Sequence, residues 1–203
     1  MDGIRTVLDF WFGQDVGDVV DDARTAKSQA KLWWSKNEVQ DAAIRDQFAD
    51  QNAQAMRGEL DGWQHTAKGR LALIILCDQF PRNMYRGTPE SFACDARARA
   101  YTEAGLAVQA DRQLRPIQRV FFYLPLEHSE ALADQDRAVA LYDALRKDVP
   151  ETQREIFEGY YQYAIRHREV IQRFGRFPHR NAILVRTSTV EEVQFLSEPG
   201  SSF

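Results

Sequence analysis

The stretch "AKGRLALIILCDQF", residues 67–80, decides the fold, because its centre is the most apolar run of the chain. The periodicity of a run as short as residues 71–77 does not distinguish a buried strand from a buried helix. Leucine and alanine favour helices, and the flanking residues continue the same composition. Thr66 can cap such a helix. Pro81 should end it, since proline disfavours helical geometry in the residue before it. We therefore expect a fully buried helix that ends at Phe80 and Pro81.

Outward from this stretch, apolar residues recur mostly at helical spacing and strand alternation is scarce. Capping residues, glycines and prolines set the limits of the other helices. The predicted helices are residues 2–12, a short one before Trp33, 37–58, 88–109, 116–125, 127–147, 150–174, and a last one opened by a capping box of Ser188 with Glu191 or Thr189 with Glu192. The sequence predicts an all-α fold of about eight helices in an antiparallel array, without a sheet. We expect one domain over residues 1–203, with residues 198–203 as a frayed tail.

Bulk composition narrows the class of protein. The chain has 203 residues, a net charge of −4 and a pI of about 5.6, which weighs against nucleic acid or an anionic membrane as the main partner. The apolar run is far shorter than the ~20 residues of a membrane span, and the N-terminus has no basic region typical of a signal peptide. Cys77 and Cys94 predict buried thiols in a reducing cytoplasm, with a disulfide between them as the alternative.

The first candidate site follows the apolar run directly, in "DQFPRNMYRG", residues 78–87. Arg82 and Arg86 could clamp a carboxylate or phosphate, because guanidinium groups match these anions with paired hydrogen bonds. Asp78 lies four residues before Arg82 and could orient it. Alternatively, Arg82 and Asn83 satisfy the free carbonyls at a helix end.

The second candidate is "FFYLPLEHSE", residues 121–130, where Glu127 and His128 follow a proline. A histidine beside acids has a raised pKa and can exchange protons, so the pair could be catalytic. Acids and serine at a helix start also serve as caps, which is the structural alternative.

The third candidate is the arginine-rich segment 166–180, which ends in "FGRFPHRN". His179, Arg180 and Asn181 could complete a binding site with the first segment. The arginines and two phenylalanines also allow nucleic-acid binding, although the chain is acidic and shows no nucleic-acid module. Pairing of these arginines with Asp78, Glu127 and Glu130 is the remaining interpretation.

Other chemistry finds little support in the sequence. No spaced metal-binding motif occurs, and Glu127, His128, His167 and His179 could converge only through the fold. Serine-hydrolase, P-loop and dinucleotide glycine motifs are absent from the sequence. We therefore predict no metal and no cofactor.

The blocks "VLDFWFG", "LWWSKN", "LALIILCDQFPRNMYRGT", "FFYLPLEHSE" and "RFGRFPHRN" together resemble a bacterial family catalogued as domain of unknown function nine-twenty-four. The resemblance spans about residues 4–196 and implies a diverged tetratricopeptide-like helical array, without implying an activity. The family usually has leucine at position 77 and glycine at position 185. If that glycine has a positive φ, Val185 would strain the turn.

Two hypotheses of function lead. The first is a polar pocket formed by the three segments, which would bind a small anionic or polar molecule and could act on it as an enzyme. The second is a helical scaffold that binds a peptide, with the polar segments as internal networks. Pocket residues should converge on an open cavity, whereas network residues should be paired and closed to solvent. Nucleic-acid binding through residues 166–180 is the third alternative.

Overall fold

The computed structural model describes residues 2–14 and 21–201. Its α-helices are α1 (Gly3–Phe12), α2 (Asp22–Trp34), α3 (Glu38–Arg57), α4 (Ala67–Ile74), α5 (Phe80–Met84), α6 (Asp95–Ala107), α7 (Pro116–Glu127), α8 (Leu132–Asp148), α9 (Arg154–Phe174) and α10 (Val190–Leu196). Several are joined by 3-10 turns, at Asp61–His65, Pro89–Phe92, Ala110–Gln113, Glu151–Gln153 and Pro178–Arg180. No β-strand occurs among the described residues. The all-α prediction is thereby confirmed, while a tetratricopeptide-like arrangement stays a prediction.

Helix α4 lies at the centre of the core, as its composition requires. Residues 71–77 are all completely buried, since a helix that is apolar all round must be covered on every side. It packs against α1, α6 and α7. An aromatic cluster surrounds this helix, with Trp11 at 5.6 Å from Phe80 and 5.5 Å from Phe121 between ring centroids. Cys77 and Cys94 are buried free thiols, in agreement with the prediction.

The helical path does not end at Pro81, and this corrects the predicted boundary. A π turn (Ile75–Gln79) follows α4, and α5 then continues through Pro81 to Met84. In the wider turn the Phe80 N–H reaches the Ile75 carbonyl, which frees the Leu76 carbonyl. The Asn52 side-chain amide of α3 donates to that carbonyl at 2.8 Å. A partner from another helix thus satisfies the backbone that the proline and the π turn disturb.

Pro125 likewise does not stop its helix, contrary to prediction. Helix α7 continues to Glu127, and the His128 N–H donates to the Leu124 carbonyl at 2.8 Å. Glu127 therefore ends α7, and the next helix, predicted to begin there, begins at Leu132. The predicted helix 88–109 is also divided: Pro89–Phe92 forms a 3-10 turn, and α6 begins at Asp95.

Three predicted N-caps are confirmed, whereas Thr88, predicted to cap the helix that begins there, forms no capping hydrogen bond. Asn37 caps α3, Thr66 caps α4, and Thr189 with Glu192 forms the capping box of α10. Gly58 and Gly175 end α3 and α9 with positive φ values of 79° and 68°, a backbone geometry that favours glycine. The helix before Trp33 is longer than expected and includes both Trp33 and Trp34.

None of the described helices combines the length and the apolar character needed to cross a membrane.

Candidate functional site

The π turn places Asp78 at the centre of a buried polar cluster. The Asp78 carboxylate is completely buried and lies 2.8 Å and 3.0 Å from Nδ1 of His128 and 3.1 Å from Arg82. Gln79 donates to the same carboxylate. Arg82 also forms two parallel hydrogen bonds of 2.9 Å with Asp95. The structure therefore joins the first and second predicted segments through an Asp78–His128 contact.

The charges of this cluster follow from its burial. Burial alone would raise the pKa of Asp78, but Arg82 and His128 outweigh it and hold this pKa below its usual value. Burial and the positive charge of Arg82 lower the pKa of His128, against the opposing effect of Asp78. The imidazole is therefore neutral at pH 7. Its Nδ1–H donates to the carboxylate, which leaves a lone pair on Nε2, and His128 lies on the wall of an open cleft.

Glu127 forms a second, uncharged pair next to this cluster. Burial raises the pKa of Glu127 to about 8, while burial and the neighbouring His128 lower the pKa of His167 to about 3. Glu127 Oε1 lies 3.1 Å from His167 Nδ1, which donates its hydrogen bond to the Tyr163 carbonyl at 2.9 Å. At pH 7 the contact therefore joins two neutral groups and is not an ion pair. Tyr142 lies within hydrogen-bond reach of Glu127 and donates to the Val120 carbonyl at 2.9 Å. The protonated Glu127 carboxyl can therefore donate a hydrogen bond to the tyrosine oxygen.

The third predicted segment contacts the Asp78 cluster through Arg180. Arg180 is buried between the rings of Phe92 and Phe177, at 4.8 Å and 4.5 Å from their centroids. Its NH1 lies 3.8 Å from Asp95, the same acid that Arg82 binds. Burial lowers the pKa of Arg180 to about 10 and that of His179 to about 4. Arg180 thus remains charged at pH 7, whereas His179 is neutral.

A cleft of about 630 Å³ opens onto Glu127 and His128. Its volume falls within the range of small-molecule sites. It is lined by residues from the segment after α2, the π turn and α5, α7, α8 and α9: Trp33, Trp34, Ser35, Lys36, Gln79, Arg82, Asn83, Arg86, Val120, Leu124, Glu127, His128, Tyr142, Ile156, Gly159, Tyr160, Tyr163 and His167.

The side chains that line the cleft carry more positive than negative charge. Its permanently charged side chains are Lys36, Arg82 and Arg86, and its one carboxyl, Glu127, is mostly protonated at pH 7. The aspartates that pair with the two arginines lie behind the lining and not on it. Positive charge on the walls of a concavity attracts and holds negative ligands.

The predicted site residues divide between this cleft and other places. Arg82, Asn83, Arg86, Glu127 and His128 line it, and Asp78 lies behind His128. Two of the lining residues also have structural partners, since Asn83 and Arg86 both bind Asp41 of α3, with distances of 2.9–3.0 Å. His179 and Arg180 lie behind the cleft, and neither lines it.

Asn181 belongs to a separate polar cluster at the C-terminal end. Its side-chain amide donates to Ser188 at 3.0 Å and Glu192 at 3.3 Å, and its oxygen accepts from Arg186 at 3.0 Å. Arg186 in turn forms paired hydrogen bonds of 2.7 and 3.0 Å with Glu130. The cluster attaches α10 to the rest of the molecule.

The arginine-rich segment does not present a free basic surface. Arg168 contacts Asp136, Arg173 contacts Glu191, and Arg176 contacts Glu192. Arg166 lies over the Tyr163 ring. The arginines of this segment thus pair with acids of the fold, but with Asp136, Glu191 and Glu192 and not with the predicted Asp78, Glu127 and Glu130.

Sequence reasoning missed several residues of the site. Asp95, which binds Arg82, stands among unrelated residues of α6, and the aromatic wall of Trp34, Tyr160 and Tyr163 resembles ordinary core-facing spacing. The spacing of Tyr163 and His167, four residues apart on one helix, was the available signal that both face the same space. Among residues 2–14 and 21–201, no group of three or more histidine, cysteine or acidic side chains is placed to hold a metal ion.

Fold and site together define an all-helical protein in which two buried acid–histidine pairs adjoin a cationic cleft. Residues 7–200 match the model of the family described as "Bacterial protein of unknown function (DUF924)", and the chain belongs to this family. A solved structure, that of the protein of unknown function ATU0120 from Agrobacterium tumefaciens, is similar, with 37% sequence identity, a TM-score of 0.80 and 96% of each chain covered. No curated protein matches the chain.

Proposed function

We propose that the cleft binds a small anionic molecule and that Glu127 and His128 can exchange protons with it. One observation carries the proposal: a protonated acid, a neutral imidazole and a guanidinium adjoin one open cleft. Arg82 and Lys36 would supply the charge that holds the anion. A proton donor, a proton acceptor and a fixed cation in one cleft are typical of the active site of an acid–base enzyme.

Each polar side chain has a distinct part in this proposal. Asp78 holds the His128 ring through Nδ1, so that Nε2 is the basic atom. Glu127, with its raised pKa, supplies a proton at neutral pH. Lys36 forms no ion pair with any described residue, and it therefore remains available for a ligand.

A thermal-shift screen with inorganic phosphate, acetate and small mono- and dicarboxylates tests the proposal. A ligand present at a hundred times its dissociation constant stabilises the folded protein by about 2.7 kcal/mol. We expect Lys36→Met, which keeps the aliphatic stem, to weaken the stabilisation without changing the unliganded protein. We also expect affinity to fall above about pH 8, as Glu127 ionises. The proposal is wrong if no anion stabilises the protein, or if Lys36→Met and wild type respond alike.

The helical-scaffold hypothesis is favoured by a different observation. Asn83, Arg86 and Asn181, all predicted to bind ligand, form hydrogen bonds with partners inside the chain. Such satisfied contacts fix how helices pack. A failed anion screen would therefore leave the scaffold as the leading function, and a peptide as the expected partner.

A further inference from the structure

Helix α9 presents a continuous aromatic face to the cleft. Ile156, Gly159, Tyr160, Tyr163 and His167 all line it, and their spacing of three and four residues places them on one side of the helix. The π turn and α5 instead contribute Gln79, Arg82, Asn83 and Arg86 to the lining. The cleft therefore has one aromatic wall and one cationic wall.

Gly159 is the unexpected member of this face. Glycine inside a helix is unfavourable relative to alanine, so its presence usually has a packing reason. Here none exists, since a Cβ at position 159 would meet no atom within 4 Å. Because Gly159 has no side chain, the cleft stays open at this position. We infer that a ligand occupies the space beside Gly159.

The aromatic rings near Gly159 are exposed but held in place. Trp34 is 53% and Tyr163 51% exposed, high values for large rings on one surface. Trp34 stacks on Phe121 at 5.8 Å, and its ring lies 6.1 Å from that of Tyr160. Exposed aromatic rings held by neighbours are typical of surfaces that bind planar ligands.

The aromatic wall along α9 is long compared with a small anion. Gly159 precedes His167 by eight residues, which corresponds to about 12 Å along the helix axis. His167 adjoins the polar end, since its ring centroid lies 6.2 Å from that of His128. A lone phosphate or acetate would leave the aromatic wall uncovered, whereas an aryl group attached to the anion would cover part of it.

We propose that the cleft takes an aryl oxyanion, with its carboxylate or phosphate group at Arg82 and its ring system against Tyr160 and Tyr163 beside Gly159. The inference rests on the proposed anion-binding function and adds the class of ligand.

Calorimetric titration with two matched pairs tests the inference: 2-naphthyl phosphate against inorganic phosphate, and 2-naphthoate against acetate. We expect each aryl anion to bind at least about tenfold more tightly than its ring-free partner, a difference of the size that aromatic contacts provide. Comparison of the two aryl anions shows whether the site prefers phosphate or carboxylate.

Two variants of α9 locate the ring. Gly159→Leu fills the space beside the aromatic wall, and we expect it to weaken aryl binding about tenfold or more while inorganic phosphate is unaffected. Gln162→Leu adds the same side chain on the exposed side of the same helix, outside the cleft, and should bind like wild type. Melting temperatures of both variants show that they fold.

The outcomes separate the two proposals. Equal affinity for aryl and ring-free anions would overturn the aryl inference and leave anion binding intact. Tight aryl binding that Gly159→Leu does not reduce would overturn the assigned position of the ring. If neither the aryl nor the ring-free anions bind, the proposed function itself is wrong.

Discussion

The two proline corners of this protein have almost the same sequence and different surroundings. "FPRN" at residues 80–83 lies on the cleft, beside His128 and Glu127. "FPHRN" at residues 177–181 instead adjoins the closed C-terminal cluster, in which Asn181, Arg186 and Glu192 satisfy one another. The motif presents cationic and amide groups in both places, from helix α5 in the first and from the 3-10 turn Pro178–Arg180 in the second. The neighbouring residues determine its role. The first copy forms part of a charged cleft wall, and the second packs against the capped helix α10.

The two regions differ in how the charge of a buried carboxyl is treated: hydrogen bonds compensate it in one region, and burial suppresses it in the other. In the C-terminal cluster, Glu192 accepts hydrogen bonds from Arg176, Asn181 and the Thr189 N–H, and these together hold its pKa at about 2. At the cleft, burial raises the pKa of Glu127 to about 8 without a cation on its carboxyl. Carboxyls with compensated charge are structural, whereas a carboxyl kept neutral at pH 7 is a candidate proton donor.

The largest expected effect is that of Asp78→Ala. This substitution leaves Arg82 and His128 without their shared buried partner, and the loss of one side of a buried pair costs about 3–5 kcal/mol. Urea denaturation measures the change in the free energy of unfolding. Asp143→Ala is the control, since Asp143 forms an exposed pair with Lys147 and Arg146 and should cost about 1 kcal/mol at most. Similar costs at both positions would show that the Asp78 cluster is not a buried network.

The second prediction concerns the pH dependence of stability. The folded-state pKa of Glu127 lies above its unfolded value, so its stabilisation is complete below about pH 4.5 and is lost as pH rises through 8. The histidines with lowered pKa values act in the opposite direction, but only below about pH 6.5. Between pH 6.5 and 8 stability should therefore fall, with a slope of up to about 1.4 kcal/mol per pH unit.

Glu127→Gln provides the control for this pH dependence. Glutamine keeps the shape and the hydrogen-bonding capacity of the protonated acid but does not titrate. We expect the slope between pH 6.5 and 8 to disappear in the variant, as measured by urea denaturation at several pH values. An unchanged slope would assign the titration to another group and remove the argument that Glu127 is protonated at neutral pH.

The third prediction concerns the closed cluster. Arg186→Met removes the paired hydrogen bonds to Glu130 and the bond to Asn181, and we expect a loss of roughly 2 kcal/mol. Anion binding at the cleft should be unchanged, as measured by titration with inorganic phosphate. Arg173→Met is the control, because Arg173 pairs with Glu191 at the surface. A loss of phosphate binding in Arg186→Met would show that the two corners are coupled.

Sequence reasoning succeeds here where the cause of structure is local. The caps at Asn37, Thr66 and Thr189 depend on residues two or three positions apart, and all were predicted. Pro81 was misjudged because its compensation is distant: Asn52, 24 residues from Leu76, satisfies the freed carbonyl. No pattern of neighbouring residues in the sequence predicts such a long-range contact.

The site divides in the same way. Asp78 and Arg82 are four residues apart on one helical path, and their contact was predicted. His128 lies 50 residues from Asp78, and His167 is farther still along the chain, so their positions follow only from the packing of α7 and α9 against the core. The sequence therefore identified the polar groups but not which of them share a cleft.

The smallest expected effect concerns Val185, in the loop that leads from the second corner to α10. Its φ is 56° and its side chain is 92% exposed, so the valine carries backbone strain without packing in return. A left-handed conformation costs a residue with a Cβ roughly 1–2 kcal/mol, while glycine gains freedom in the unfolded chain that offsets part of this difference. We expect Val185→Gly to raise the free energy of unfolding by about 0.5–1 kcal/mol. Val190→Gly is the control, since Val190 is equally exposed but begins a helix and should lose stability. A loss of stability in Val185→Gly would mean that this turn is not strained, and that the closed corner tolerates a β-branched residue in the left-handed region without cost.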